Sequence, residues 1–402
     1  MTPETVDVLD PDLYLAGAPH DRFEVLRREA PVYWHPEPAG RGFWAITRHA
    51  DVARISRDPA AFCSGRGLFI EDFQPGDMRD NPDVMIMMDP PRHGRFRALV
   101  SKGFTPRVIQ RLEGHVRELV TRLIDEACAR GGCDFASDIA GQLPLAVILE
   151  VIGVPREDQE QMLDWTTRFF GASDPDYGVT PEELNKVLNN MNVYAHKLAE
   201  ERRRAPRDDM LSLLMAAEVD GEKLSYTEFG GFFNLLLTAG HDTTKNLISN
   251  GMLALIEHPD QRRRLLADPS LLPTAIEEML RFTPPVYYFR RSAVRDTEVG
   301  GQRIAAGDKV VLWYVSANRD EAVFRDPHRF DVGRTPNEHL SFGIGPHVCL
   351  GLALARMEAR VAFEELLRRL PDLELTAPAV RLRSNWVSGV KSMPVRCVSP
   401  AR

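Results

Sequence analysis

The feature that most constrains this chain is the stretch Leu224–Glu257. Apolar residues recur there at three- and four-residue steps and fill nearly the whole helical circumference in the middle. A helix of that length runs about 50 Å at ~1.5 Å per residue. Apolar on most sides, it must pass through the centre of a large fold. Its apolar surface is broken by Ala239-Gly240-His241-Asp242-Thr243-Thr244. An acid and an alcohol at such a place cost both helix propensity and desolvation. Packing alone explains the alcohol at most, through a bond from the threonine to the carbonyl one turn back.

The segments Val108–Ala129, Pro181–Arg203, Leu271–Arg281 and Leu352–Arg369, and the run from Asp260, also carry helical periodicity. Strand-like alternation is sparser. It covers Gly42–Thr47, the region Ser292–Val315 broken at Gly300, Gly301 and Gly307, and Val387–Val398. The expected fold is mainly α with a small β region. No linker, repeat or low-complexity tract divides it, so residues 1–402 read as one domain. A net charge of -8 argues against a general nucleic-acid binder, although a local basic patch for an acidic partner remains open. The N-terminus lacks a secretory pattern, and Phe232–Leu237 is far short of the ~20 apolar residues of a membrane span. A cytoplasmic protein without a membrane anchor is expected.

The chain has 5 cysteines, an odd count with neither zinc nor disulfide spacing. Four of them read as small buried hydrophobes. Cys349 differs. Gly343, Gly345 and Pro346 precede it and permit a tight turn, and an amphipathic helix starts near Leu350. A helix N-terminus favours thiolate over thiol, and a thiolate is what a metal ligand must be. Gly351 lets backbone and a flat cofactor approach closely, and Phe342 shields the sulfur from water. Cys-x-Gly alone would fit a capped helix just as well.

The full run Phe342-Gly-Ile-Gly-Pro-His-Val-Cys-Leu-Gly-Leu-Ala-Leu-Ala355 resembles the haem-binding signature of the cytochrome P450 family. Three further segments agree with it. Glu278-Met-Leu-Arg281, with Arg329 from Pro327-His-Arg-Phe330, resembles the family's buried charge network; read alone, Glu278 and Arg281 form only a surface pair. The string Ala239–Thr244 resembles the oxygen-activation motif. Asp89-Pro-Pro-Arg-His93-Gly-Arg-Phe-Arg97 resembles the early haem-facing helix, though alone it is simply a basic helix start.

The resemblance implies a haem b held between the long central helix and the cysteine loop, with Cys349 as the axial ligand to its iron. Phe342, Gly343 and Gly351 then frame the haem, and His93, Arg97, Arg291 and His347 hold its propionates. Ala239 and Gly240 leave room for O2. Thr243 supports proton delivery and Asp242 feeds it. His241 sits beside the groove without ligating iron. Glu278, Arg281 and Arg329 lock a helix to the cysteine loop.

The implied reaction inserts one oxygen atom of O2 into a C–H bond of a hydrophobic small molecule. Electrons come from NAD(P)H through a separate ferredoxin and ferredoxin reductase, and the protein acts as a monomer. Family substrate-contact regions map to Gly65–Met88, Trp165–Tyr177, Asn234–Thr243, Val286–Phe289 and Ser384–Val387. From these we expect Phe69, Met85, Met88, Phe170, Val286, Tyr287, Phe289 and Trp386 in the pocket. The stretches Pro285–Arg291, Gly307–Asp320 and Arg383–Pro394 are similar to actinobacterial members that oxidise sterol side chains, branched lipids or isoprenoids. A polyketide-tailoring oxidase, a peroxide-driven or coupling haem–thiolate enzyme, a haem sensor and a haem-free protein are the alternatives.

Overall fold

The structure, a computed structural model, describes residues 1–219 and 221–397; Val398, the end of the last expected strand, lies outside the described residues. The fold is mostly helical. Its axis is the helix Tyr226–Glu257, opened by a capping box in which Ser225 Oγ accepts from the Glu228 N–H and the Glu228 carboxylate accepts from the Ser225 N–H. This helix is buried along most of its length. The helices Gln142–Ile152, Gln159–Gly171, Pro181–Arg204, Leu272–Phe282 and Leu352–Arg369 pack around it.

Two glycines set how closely these helices approach. A Cβ at Gly240 would stand 2.6 Å from Ile148 Cγ1, and one at Gly251 would stand 2.7 Å from Met279 Sδ. Glycine inside a helix costs roughly 1 kcal/mol against alanine. Close helix crossing accounts for it at both places.

The β portion lies to one side. Its main sheet runs Val32–His35, Phe43–Ile46, Lys309–Trp313, Tyr288–Ala293, Phe62–Cys63. Phe43–Ile46 pairs antiparallel with Val32–His35 and parallel with Lys309–Trp313, a pairing no local alternation announces. The expected break at Gly300 and Gly301 is a hairpin turn with φ of +56° and +78°, joining Thr297–Val299 to Gln302–Ile304. Among the described residues no helix is long and apolar enough to cross a membrane.

Candidate functional site

The cysteine loop turns on Gly343 and Gly345, whose φ values of +66° and +79° suit glycine. The Cys349 N–H donates to the Phe342 carbonyl at 2.8 Å, and the following helix begins at Leu352. The sulfur therefore sits just ahead of a helix N-terminus. Burial pushes the thiol above its ordinary value, while the Gly351 N–H, Arg97 and Arg356 pull it back.

Helix Leu272–Phe282 holds this loop. Glu277 accepts from Arg356 Nε and Nη2, at 2.7 Å each, and meets His339 Nε2 at 3.0 Å. Burial alone would raise this carboxyl, but its hydrogen bonds to His339 and Arg356 bring it down to about 2. Arg356 in turn lies 4.7 Å over the Phe342 ring. Ser341 Oγ donates to the Leu280 carbonyl at 2.7 Å. Glu277 escaped the sequence reading because its partners lie 62 and 79 positions away.

Glu278 and Arg281 are fully buried and form a two-pronged pair, Nε to Oε2 at 2.7 Å and Nη2 to Oε1 at 2.8 Å. The third cation expected here, Arg329, is corrected. Its side chain is exposed, and it contributes only its carbonyl, which accepts from Arg281 and Arg334. The guanidinium that reaches Glu278 is that of Arg334, with Nε at 3.1 and 3.0 Å from the two oxygens. The loop Asp326–Arg334 folds back on the helix, and the Asp331 N–H also donates to Glu278. That turn presents Arg334 inward and Arg329 outward.

Between the central helix and the cysteine loop lies a cavity with ≈ 1460 Å³ of atom-free space counted out to its solvent mouth. From the central helix it is lined by Ala239, Gly240, Thr243 and Thr244. Thr243, one of these lining residues, donates its Oγ hydroxyl to the Ala239 carbonyl at 2.7 Å. Gly240 lines the wall, but its lack of a Cβ is required by Ile148 on the neighbouring helix, so oxygen space is not what demands glycine there. Asp242 faces away from the cavity. Its carboxylate accepts from Asn246 Nδ2 at 2.7 Å, with Lys245 Nζ at 3.4 Å. The lining residues fall at three- and four-residue steps along one broad face of the helix, and Asp242 lies outside that face. His241 is buried against Thr166 and does not line the cavity.

His93, Arg97, Arg291 and His347 line the same cavity on the cysteine-loop side, together with Phe342, Gly343, Cys349 and Gly351. The His93 and His347 rings are 4.1 Å apart, and His347 Nε2 is 3.2 Å from Ser64 Oγ. Burial, then Arg291, His93 and Arg97, drive His347 down to about 2. Neither Arg97 nor Arg291 has a carboxylate partner among the described residues. Such a buried cationic edge is costly unless an anion fills it. An apolar disc that bears two carboxylates and a thiolate-binding metal would satisfy the thiol, the cationic edge and the apolar walls, so the residues fit a haem. Two further lining groups went unread in the sequence. Tyr314 is a buried phenol near Arg291, and Glu358 is a buried acid raised to about 8 by burial, with Oε2 unpaired. No local pattern marks either one.

Of the residues expected in the substrate pocket, Met85, Val286 and Phe289 line the cavity. Phe69, Phe170 and Trp386 form an aromatic layer behind Phe289. Trp386 stacks on Phe170 at 5.5 Å and meets Phe69 edge-on at 4.7 Å and Phe289 at 6.5 Å. Met88 and Tyr287 are corrected. Met88 belongs to the core cluster of Phe96, Val100 and Leu149, and its backbone serves His347. Tyr287 packs 5.2 Å from Tyr14 on the other side of the sheet. The strand proper begins at Tyr288, so the alternation that aims Phe289 at the cavity does not extend back through Tyr287.

A family model described as cytochrome P450 matches residues 15–372. The methyl-branched lipid omega-hydroxylase of Mycobacterium tuberculosis is 44% identical over 93% of this chain and 90% of its own length. The linalool 8-monooxygenase of Pseudomonas putida is 40% identical over 98% of each chain. A solved Mycobacterium marinum cytochrome P450 in complex with pseudoionone superimposes with a TM-score of 0.92, at 39% identity over 98% of each chain.

Proposed function

This chain belongs to the cytochrome P450 family, and from that premise we propose a haem–thiolate monooxygenase that hydroxylates a branched, largely hydrocarbon substrate, with Cys349 as the thiolate that would hold the iron. The observation that carries the proposal is the convergence of a half-buried thiol, an unpaired cationic edge and an apolar vault on one cavity. Haem b, when bound, supplies the redox chemistry that activates O2. This chain's residues do the rest. Arg97, Arg291, His93 and His347 would hold the haem propionates, and Phe342, Gly343 and Gly351 would frame the thiolate side. Ala239 and Gly240 border the oxygen groove.

The Thr243 hydroxyl, held by the Ala239 carbonyl, keeps a proton at the groove. Asp242, in contact with Lys245 on the side away from the cavity, renews that proton from solvent. Glu278, Arg281 and Arg334 keep the loop beneath in place. Electrons from NAD(P)H reach the site through a ferredoxin reductase and a ferredoxin. The whole chain, residues 1–402, acts as one cytoplasmic, monomeric catalytic domain.

Near the groove the walls are hydrocarbon: Met85, Ile86, Leu235, Leu236, Val286 and Phe289. Such a surface recognises shape and not polar groups, so the oxidised end of the substrate is apolar. With relatives named for methyl-branched lipids and linalool, this supports a branched lipid or a terpenoid. The test is a carbon monoxide difference spectrum of the reduced protein, followed by spin-state titrations with a methyl-branched fatty acid, an acyclic terpenoid and a sterol. We expect a thiolate-type spectrum and a high-spin shift with the first two. A spectrum lacking the thiolate signature, or a shift with none of the three, would overturn the reading.

A further inference from the structure

We propose that His241 is a positioning residue that ties the helix Gln159–Gly171 to the oxygen groove, so that Asp242 and Thr243 are set for proton delivery when that helix is seated. The inference rests on the roles given above to Asp242 and Thr243.

His241 lies between Gly240 and Asp242 and is 2% exposed. Its Nδ1 is 2.9 Å from Thr166 Oγ1, on a residue that is itself 1% exposed. The same hydroxyl is 3.1 Å from the Met162 and Leu163 carbonyls of its own helix. A hydroxyl has one proton and two lone pairs. Thr166 and His241 therefore share one cross-helix hydrogen bond, whose direction is set by the imidazole tautomer. Burial drives the imidazole down to about 4, so the ring is neutral and carries a single N–H. Nε2 lies toward the Gly141 backbone but makes no well-formed hydrogen bond. A leucine would fill this site at no polar cost. A half-satisfied buried imidazole is expensive unless its one cross-helix bond does something.

Both ends of that bond lead to the site. Thr166 and Phe170 stand one turn apart on the same helical face, and Phe170 stacks on Trp386, which meets the cavity-lining Phe289. On the other side, the Thr243-to-Ala239 hydrogen bond spans the backbone that carries His241. Moving the ring thus moves the carbonyl that holds the Thr243 hydroxyl.

The test compares His241→Leu, His241→Asn, Thr166→Val and the double variant His241→Leu/Thr166→Val in the haem-loaded enzyme. A surrogate ferredoxin and reductase supply electrons, and the substrate is the methyl-branched fatty acid. Product and peroxide are measured per NADH consumed, with substrate Kd from the spin-state shift and the carbon monoxide spectrum as a check of the haem site. We expect His241→Leu and Thr166→Val each to raise peroxide per product about tenfold, the effect of losing one buried hydrogen bond. Substrate Kd should change less than about threefold. The double variant should be no worse than either single one, because both remove the same bond. Asparagine places an amide, able to donate or to accept, near where Nδ1 stood and should recover most of the coupling.

Additive effects, or full coupling in Thr166→Val with an intact spectrum, would overturn the inference. Thr243→Ala separates it from its premise. If Thr243→Ala leaves coupling unchanged, the relay reading itself fails. If Thr243→Ala uncouples and the His241 and Thr166 variants do not, only the positioning role falls.

Discussion

Replacing Arg334 by alanine should cost about 3 kcal/mol of stability, and replacing Arg329 should cost less than about 0.5 kcal/mol. Arg334 is 9% exposed and donates to both oxygens of Glu278. It also donates to the carbonyls of Arg325, Asp326 and Arg329. A net hydrogen bond to a charged group contributes about 1.5–3 kcal/mol. Losing the charged contact and three carbonyl bonds would sum higher, but Arg281 still neutralises Glu278, and water can reach the vacated rim. Glu278→Ala should be worse, about 3–5 kcal/mol, because it strands the fully buried Arg281. Arg329, by contrast, offers only its carbonyl, which alanine keeps. Urea unfolding of the haem-loaded protein by far-ultraviolet circular dichroism, extrapolated linearly, measures all three variants. Equal losses for Arg329→Ala and Arg334→Ala, or a silent Arg334→Ala, would refute the assignment.

Gly240→Ala should destabilise by about 1–3 kcal/mol through overpacking, and Ile148→Ala should relieve most of it, because the added methyl would meet Ile148; absence of rescue in the double variant counts against helix packing as the reason for this glycine. Glu277, held at about 2 against an ordinary 4.5, contributes stability that is complete above pH ~4.5 and disappears as the pH falls toward 2. The urea midpoint of the wild type should therefore fall more steeply between pH 5 and 3 than that of Glu277→Gln, and parallel curves would contradict the pairing with His339 and Arg356. Arg97→Ala and Arg291→Ala should each speed haem transfer to apomyoglobin about tenfold, as expected for one charge-assisted contact; unchanged rates would show that the propionates lie elsewhere.

Much of the fold was legible because its determinants are local. The helices Pro181–Arg204, Leu272–Phe282 and Leu352–Arg369 fall within one residue of their periodic patterns, since a stripe of apolar residues needs no partner to be recognised. The Cys349 loop was legible for a similar reason. Its glycines, proline and helix start are consecutive, and their conformations follow from residue type. The wall facing it was half legible. Thr243 turns to the cavity as the motif implies, but that Asp242 turns to Lys245 and Asn246 follows from helix phase against a particular neighbour. Tyr287 and Phe289 look alike in the sequence, and only the start of a strand at Tyr288 separates them.

The sequence alone thus determined the strongly periodic helices, the thiol and the chemical class of the site, all of which rest on neighbours within a turn or a loop. Tertiary structure alone decided which cation meets Glu278, why Gly240 has no side chain, that Glu277 brackets the cysteine loop, and where His241 finds its partner. Each of those is a contact across at least 50 positions. At that separation a side chain's partner depends on how whole elements pack, and residue type and spacing carry no record of it until the chain is folded.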